Sequence, residues 1–561
     1  MGDTTDITHE PPVEFSTDPT RYRHWEVAYD GPIARVAMNV DPEAPLRPGY
    51  ELKLNSYDLG VDIELADIVQ RMRFEHPEVH VVVLSSANDR VFCAGACIHM
   101  LSRSTHAWKV NFCKFTNETR CAIEDADAHS EQIWIAACNG TTAGGGYELA
   151  LACREIYLQD DGNSAVSFPE VPLLAVLPGT GGLTRLVDKR KVRRDHADVF
   201  STTAEGIRGR RAVDWNLVDG IFPRSRFAQS VDQRAAELVG TRDPSSTQGQ
   251  RRGVRLEPLD VDVAASRRTY SCVELTWDDA SRVAQLVVRA PTADDVAVVE
   301  RGGEAMRDAG SGVWGLRAYR ELDDALLHLR TNLDEIGLLL IRAVGDPAQV
   351  LAYDEALLAA REHWFVREVI LHMARTLRRL DLTSRSVFAM ADRGTAFVGN
   401  LLELALAADR LYLLDDPDQP VQLGLSAINA GVLPMSHGWA RLQARFAREP
   451  ERYAEVSARR GLLDAQAADD AGLPTIVLDE IDWDDDTRVA VEERVSLSPD
   501  ALTGMEANLR FAGPETATSK IFARLTAWQN WVFVRPNATG PEGALTLYGM
   551  PTRPSFDWRR V

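Results

Sequence analysis

Residues Ile133–Cys138 form a run with no charged side chain, the pattern of a strand buried on both faces. Residues 147–156 follow with a Leu- and Ala-rich sequence that reads as a buried helix. Between them stand Gly144, Gly145 and Gly146, so a glycine-rich turn joins strand to helix. The same alternation precedes them. A first strand region covers 25–39, centred on Ile33–Met38, and apolar positions Leu59, Ile63, Leu65, Ile68, Val69 and Met72 give helical periodicity over 57–74. Residues 79–85 are β-branched and apolar, 86–95 read as a loop, and a further helix is expected over 98–126. Strand, helix, strand, helix in this order predicts right-handed βαβ units and a parallel sheet.

Beyond a helix expected over 228–239, residues 241–258 turn rich in Ser, Gln, Gly, Pro and Arg, the composition of a linker. Then the pattern returns. Glu403-Leu404-Ala405-Leu406-Ala407 repeats Glu148-Leu149-Ala150-Leu151-Ala152 at an offset of 255 positions (403 − 148), and the flanking strands keep step. A repeat this long is a duplicated domain, not a solenoid period. The expected plan is a polar arm over 1–24, an α/β domain over 25–240 and a linker over 241–265. A second copy over 266–490 and a helical C-terminal region over 491–561 complete it, the last including an amphipathic aromatic helix over 520–533.

Composition narrows the partners. With a net charge of −21 the chain is a poor match for nucleic acid, whose phosphates call for basic surface. No apolar run approaches the length of a membrane span. Seven cysteines, with no secretory signal at the start, lead to the expectation of free thiols in a reducing cytoplasm. Cys93 and Cys97 lack the second pair that a zinc site needs, and no metal is expected.

The glycine turn is where chemistry is expected. The first N–H groups of a helix have no intrahelical partner, and glycines let a ligand approach them closely. Glu148, within one turn, adds a carboxylate. Two nucleotide loops are excluded: Leu149 stands where a dinucleotide fingerprint requires a third glycine, and no G-x-x-x-x-G-K-[ST] run occurs. A carbonyl oxygen gathering negative charge suits these donors better.

Four motifs in order carry a family resemblance: Ala94-Gly95-Ala96-Cys97-Ile98, Gly144-Gly145-Gly146-Tyr147-Glu148-Leu149-Ala150, Phe168-Pro169-Glu170-Val171, and Pro178-Gly179-Thr180-Gly181-Gly182-Leu183-Thr184-Arg185-Leu186. Over residues 25–240 the chain resembles the crotonase (enoyl-CoA hydratase/isomerase) superfamily. The resemblance implies two tandem crotonase-like ββα spiral domains, the second degenerate, acting on an acyl-CoA thioester without a further cofactor. It implies an oxyanion hole at the N–H groups of Ala96 and Gly145, with Glu148 and Glu170 as acid/base pair. Ala94, Gly95 and Gly144 would line the ester, Arg90 would lie near the CoA, and Cys113 would face the acyl pocket as a further catalytic residue, its thiol hydrogen-bonding or assisting proton transfer during ring opening. The doubled length, the Cys after the first motif and the aromatic C-terminal stretch resemble members that open an aromatic-derived ring with two waters and release formate.

Blander readings stand beside these. Glu148 and Glu170 would alternatively be a buried salt bridge or cap, Cys113 a small buried residue, and Arg90 a surface residue. The Lys189–Arg194 cluster reads as a solvated helix face, and Trp528 and Trp531 as packing residues. In the second copy Asn400 and Leu401 replace glycines and Ser426 falls near the place of Glu170, so that half is expected to be silent although Glu403 persists. The functional alternatives are a plain enoyl-CoA hydratase or isomerase and a non-catalytic acyl-CoA-binding protein. A homodimer is the expected assembly.

Overall fold

A computed structural model describes residues 11–243 and 245–561. The chain divides into two units, one of Ser16–Pro258 and one of Leu259–Val561 joined by the described residues up to Phe15.

In the first unit an antiparallel hairpin, β1 (Trp25–Asp30) and β2 (Ile33–Met38), leads into parallel strands β3 (Val81–Ser86), β5 (Ile133–Cys138), β7 (Glu155–Asp160) and β9 (Gly220–Pro223). Val81 and Val83 on β3 pack with Ile133 and Ile135 on β5 against Phe227, Val231 and Leu238 of the helix Phe227–Val239. Three short strands, β4 (Val91–Cys93), β6 (Thr141–Ala143) and β8 (Val166–Ser167), make a second parallel sheet. It positions the two loops on which the candidate site is built.

Helix α1 (Leu59–Phe74) begins at Asp58, whose carboxylate accepts from the N–H groups of Gly60 and Val61. The helix expected over 98–126 is instead two, α2 (Ile98–Arg103) and α3 (His106–His129), because Ser104 turns extended and the Thr105 side chain caps the next helix at Trp108 N. The helix after the glycines, α4 (Gly145–Ala152), is shorter than the pattern suggests. Cys153 turns extended and Ile156 lies in β7, where the sheet's demand for a fifth strand outweighs helix propensity.

Residues 241–258 are not a loose linker. Gln248 is fully buried: its amide donates to Val79 O and Glu131 O, while its carbonyl oxygen meets His80 Nδ1. Val254 and Leu256 are buried as well. Polar composition concealed this because the segment is held by specific hydrogen bonds. The arm also differs from its expected looseness: Val13 is buried and exchanges hydrogen bonds with the Asn332 side chain. Residues 1–10 of the expected arm lie outside the described residues.

The second unit holds an eight-stranded sheet. Strands β10 (Asp262–Ala264), β11 (Arg267–Thr269), β12 (Val273–Asp278) and β13 (Val283–Arg289) are antiparallel. Strands β14 (Leu338–Val344), β15 (Ser386–Ala391), β16 (Arg410–Asp415) and β19 (Ile476–Asp479) continue in parallel. From β12 onward the order and directions are those of the first unit's large sheet. A two-stranded ribbon, β17 (Leu423–Leu425) with β18 (Gly461–Leu463), stands apart. Towards the C-terminus come helices Pro499–Leu509 and Thr526–Val532; Trp528 meets Gly504 and packs edge-on to Trp531.

Candidate active site

The first loop leaves β4 and is fixed by its neighbours. Ala94 N donates to Leu54 O, Tyr57 N to Gly95 O and Cys97 N to Tyr57 O. The resulting bridge between Tyr57 and Ala96 leaves the Ala96 N–H without an acceptor among the described residues. The second loop leaves β6, passes through Gly144 at φ +53° and starts α4 at Gly145. As the first helical residue, Gly145 also keeps an N–H with no acceptor among the described residues. The two loops touch, since a Cβ on Gly95 would lie 2.9 Å from Gly145 N. A Cβ on Gly146 would lie 2.5 Å from Cys93 O, so close approach, not flexibility, requires glycine there.

Glu148 and Glu170 flank this pair in different environments. Buried in the first turn of α4, Glu148 accepts from Thr180 N (2.9 Å) and Gly182 N (2.8 Å), and from the Thr180 hydroxyl. Glu170 opens a single π turn, Glu170–Leu174, and its Oε1 sits 2.5 Å from where a Gly144 Cβ would be. Its Oε2 is buried without a hydrogen-bond partner among the described residues. Burial pushes the Glu170 carboxyl up to about 7 and the neighbouring Glu148 adds to the rise, while its own backbone N–H opposes it. Near neutral pH Glu170 is therefore divided between its protonated and ionised forms.

The structure brings Cys113 to the same place: a Cβ on Gly179 would lie 3.3 Å from its Sγ. Burial, and then Glu148, push this thiol up to about 11, so it is a neutral S–H at physiological pH rather than a thiolate. Arg90 is held by its backbone, with its carbonyl accepting from Thr141 N, and its side chain is exposed. Of the Lys189–Arg194 cluster, Lys189, Lys191, Arg193 and Arg194 are exposed, as a solvated face requires, and Arg190 alone of the cations is buried. Lys189 donates to Glu124 and Ala152 O, and buried Arg190 pairs with Asp219 and Asn216 O. Among the described residues no group of His, Cys, Asp and Glu is arranged to hold a metal ion, and no helix is long and apolar enough to cross a membrane.

Residues 51–248 match the enoyl-CoA hydratase/isomerase family model. Over 551 residues, 98% of this chain and 98% of the relative, the sequence is 53% identical to benzoyl-CoA-dihydrodiol lyase of Aromatoleum evansii. The chain belongs to the enoyl-CoA hydratase/isomerase family. Similar solved structures include an enoyl-CoA hydratase of Geobacillus kaustophilus, 31% identical, covering 39% of this chain and 75% of that one with a TM-score of 0.34. Another is an enoyl-CoA hydratase of Bacillus anthracis, 24% identical, covering 39% and 77% with a TM-score of 0.33.

In this family member the motif residues Ala94, Gly95, Ala96, Gly144, Gly145, Glu148 and Glu170 converge on one spot, with Cys113 beside them. Sequence reasoning missed Thr180, whose hydroxyl lies among the glycines of the fourth motif and whose two donors hold Glu148. It also missed Tyr57 and Arg120, which stand behind the loops. A buried arginine on an amphipathic helix gives no periodic signal.

The second unit has a different arrangement at the matching positions. Asn400, at the offset of Gly145, donates its N–H to Asp354 Oδ2 (2.9 Å) and its side-chain amide to Asp354 Oδ1 (2.6 Å). Ser426 donates to the same carboxylate at 2.7 Å. Glu403 is bound by Asn429 (2.8 Å) and Arg441 (3.3 Å), and Arg441 pairs with Asp381 (2.6 Å), all of them buried. An internal carboxylate thus holds the helix-start N–H that has no acceptor among the described residues of the first unit.

Proposed function

We propose that the chain is a carbon–carbon lyase of the benzoyl-CoA-dihydrodiol lyase type. It opens the ring of 2,3-epoxy-2,3-dihydrobenzoyl-CoA with two waters, giving 3,4-didehydroadipyl-CoA semialdehyde and formate. The observation that carries this reading is the likeness to benzoyl-CoA-dihydrodiol lyase across both units, 53% identity over 98% of each chain.

The site's geometry supports the chemistry. The thioester oxygen accepts from the N–H groups of Ala96 and Gly145, which stabilise the charge that develops there as the ring opens. Glu148, its oxygens already ordered by Thr180 and Gly182, orients and deprotonates water. Glu170, with a free buried oxygen and a pKa near neutrality, returns a proton to the ring oxygen and recovers it from the second water. Cys113, as a neutral thiol, is a weak donor to the acyl group, and Arg90 contacts the CoA moiety. The reaction is hydrolytic without net electron exchange and calls on no flavin, nicotinamide or metal. The second unit serves as a degenerate, catalytically silent copy, its oxyanion position filled by Asp354. A cytoplasmic homodimer completes the proposal.

Incubation with epoxybenzoyl-CoA and with crotonyl-CoA separates the readings. Formate from the first alone supports the lyase. Hydration of the second alone replaces it with a plain hydratase, and tight ester binding without either product replaces it with an acyl-CoA-binding protein.

A further inference from the structure

One residue touches both halves of the oxyanion pair. The Tyr57 backbone donates to Gly95 O (3.0 Å) and accepts from Cys97 N (2.8 Å), clasping the loop that presents the Ala96 N–H. Its side chain runs to the other loop, where a Cβ on Gly145 would come within 1.9 Å of the Tyr57 hydroxyl oxygen. A side chain at 145 would therefore have to displace the buried Tyr57 ring. Arg120, from α3, closes the link: one guanidinium nitrogen donates to the Tyr57 hydroxyl (3.2 Å) and to Gly145 O (3.2 Å). The other reaches Thr116 O (3.1 Å) and Asp62 (3.5 Å). Arg120, Tyr57 and Asp62 are all buried, and the Thr116 hydroxyl donates to Asp62.

A buried ion pair is weak evidence of a stability role, because its desolvation offsets its attraction. Its placement here is more informative, since every donor on one Arg120 nitrogen is spent on the two groups that set where Gly145 lies. We propose that Tyr57 and Arg120 are positioning residues that hold the Ala96 and Gly145 N–H groups at the separation a single thioester oxygen requires. Displacement of about 1 Å between reacting groups costs up to ~100-fold in rate.

The inference rests on the oxyanion reading above, and the test separates the two. The probe is 4-dimethylaminocinnamoyl-CoA, whose absorption moves to the red as its thioester carbonyl is polarised. The wild-type protein is expected to produce that shift; its absence would overturn the oxyanion reading and this inference with it. With the shift present, Tyr57→Phe, which removes one oxygen, is expected to lose at least half of it. Formate release by this variant is expected to drop roughly 10- to 100-fold in kcat, with KM within about threefold of wild type. Arg120→Met should do the same, and the double variant should be no slower than the slower single one, because both act through one contact. Retention of the full red shift and kcat by folded Tyr57→Phe overturns the inference while leaving the oxyanion reading intact. So does a loss of activity with the shift unchanged. Should Arg120→Met fail to fold, Tyr57→Phe decides alone.

Discussion

Glu170→Gln should sharply slow turnover and at the same time stabilise the first unit above neutral pH. Glu170 is a carboxyl whose proton affinity is raised in the folded protein, from 4.5 to about 7. Below 4.5 folded and unfolded chains both carry the proton, and stability is at its fullest. Between 4.5 and 7 the folded protein binds more protons than the unfolded chain, so stability falls as pH rises, and it levels off above 7. A tenfold change in affinity is worth 1.36 kcal/mol, which bounds the loss at ~3 kcal/mol. Partial solvent access of this half-buried side chain reduces the expectation to about 1–2 kcal/mol. Glutamine has nearly the same shape and no charge to desolvate, so it recovers that loss at pH 8 and little at pH 4.5. For a unit of this size, 1 kcal/mol moves Tm by ~2–4 °C, so differential scanning calorimetry at pH 8 should show the variant melting roughly 2–8 °C higher. Formate release should fall ~100- to 10,000-fold. A variant no more stable than wild type at pH 8, or stabilised equally at both pH values, would refute the reasoning.

Other substitutions probe the same framework. Gly144→Ala would be strained at φ +53° and would push into Glu170 Oε1, so it should cost about 1–3 kcal/mol and most of the turnover, read by urea unfolding and formate assay. Thr180→Val removes a hydroxyl donor from buried Glu148 and is expected to destabilise by ~1–3 kcal/mol in chemical denaturation while slowing turnover more than it weakens ester binding. In the second unit Arg441→Met strands Glu403 and Asp381 as unpaired buried acids. The expected cost is about 3–5 kcal/mol in that unit's unfolding transition, and the folded fraction should keep its kcat.

The sequence by itself determined the alternation of elements, the repeat at 255 positions and the residues of the two glycine-bearing loops, because each leaves a local mark. Apolar runs mark buried strands, and glycine marks backbone that must come close to something. It marked Glu148 and Glu403 alike, since the same helix pattern surrounds both. Only the tertiary structure separated them. Arg441 and Asn429 bind Glu403 from other segments, whereas Glu148 is held by Thr180 and Gly182 beside two N–H groups with no acceptor among the described residues. Residues 241–258 read as a linker for the same reason: the hydrogen bonds that bury Gln248 come from chain more than a hundred residues away. Asp354 carried no signal at all, and neither did the link from Tyr57 through Arg120 to Gly145. A buried polar side chain is satisfied by partners distant in sequence, so its role is set when the chain folds and not by its neighbours.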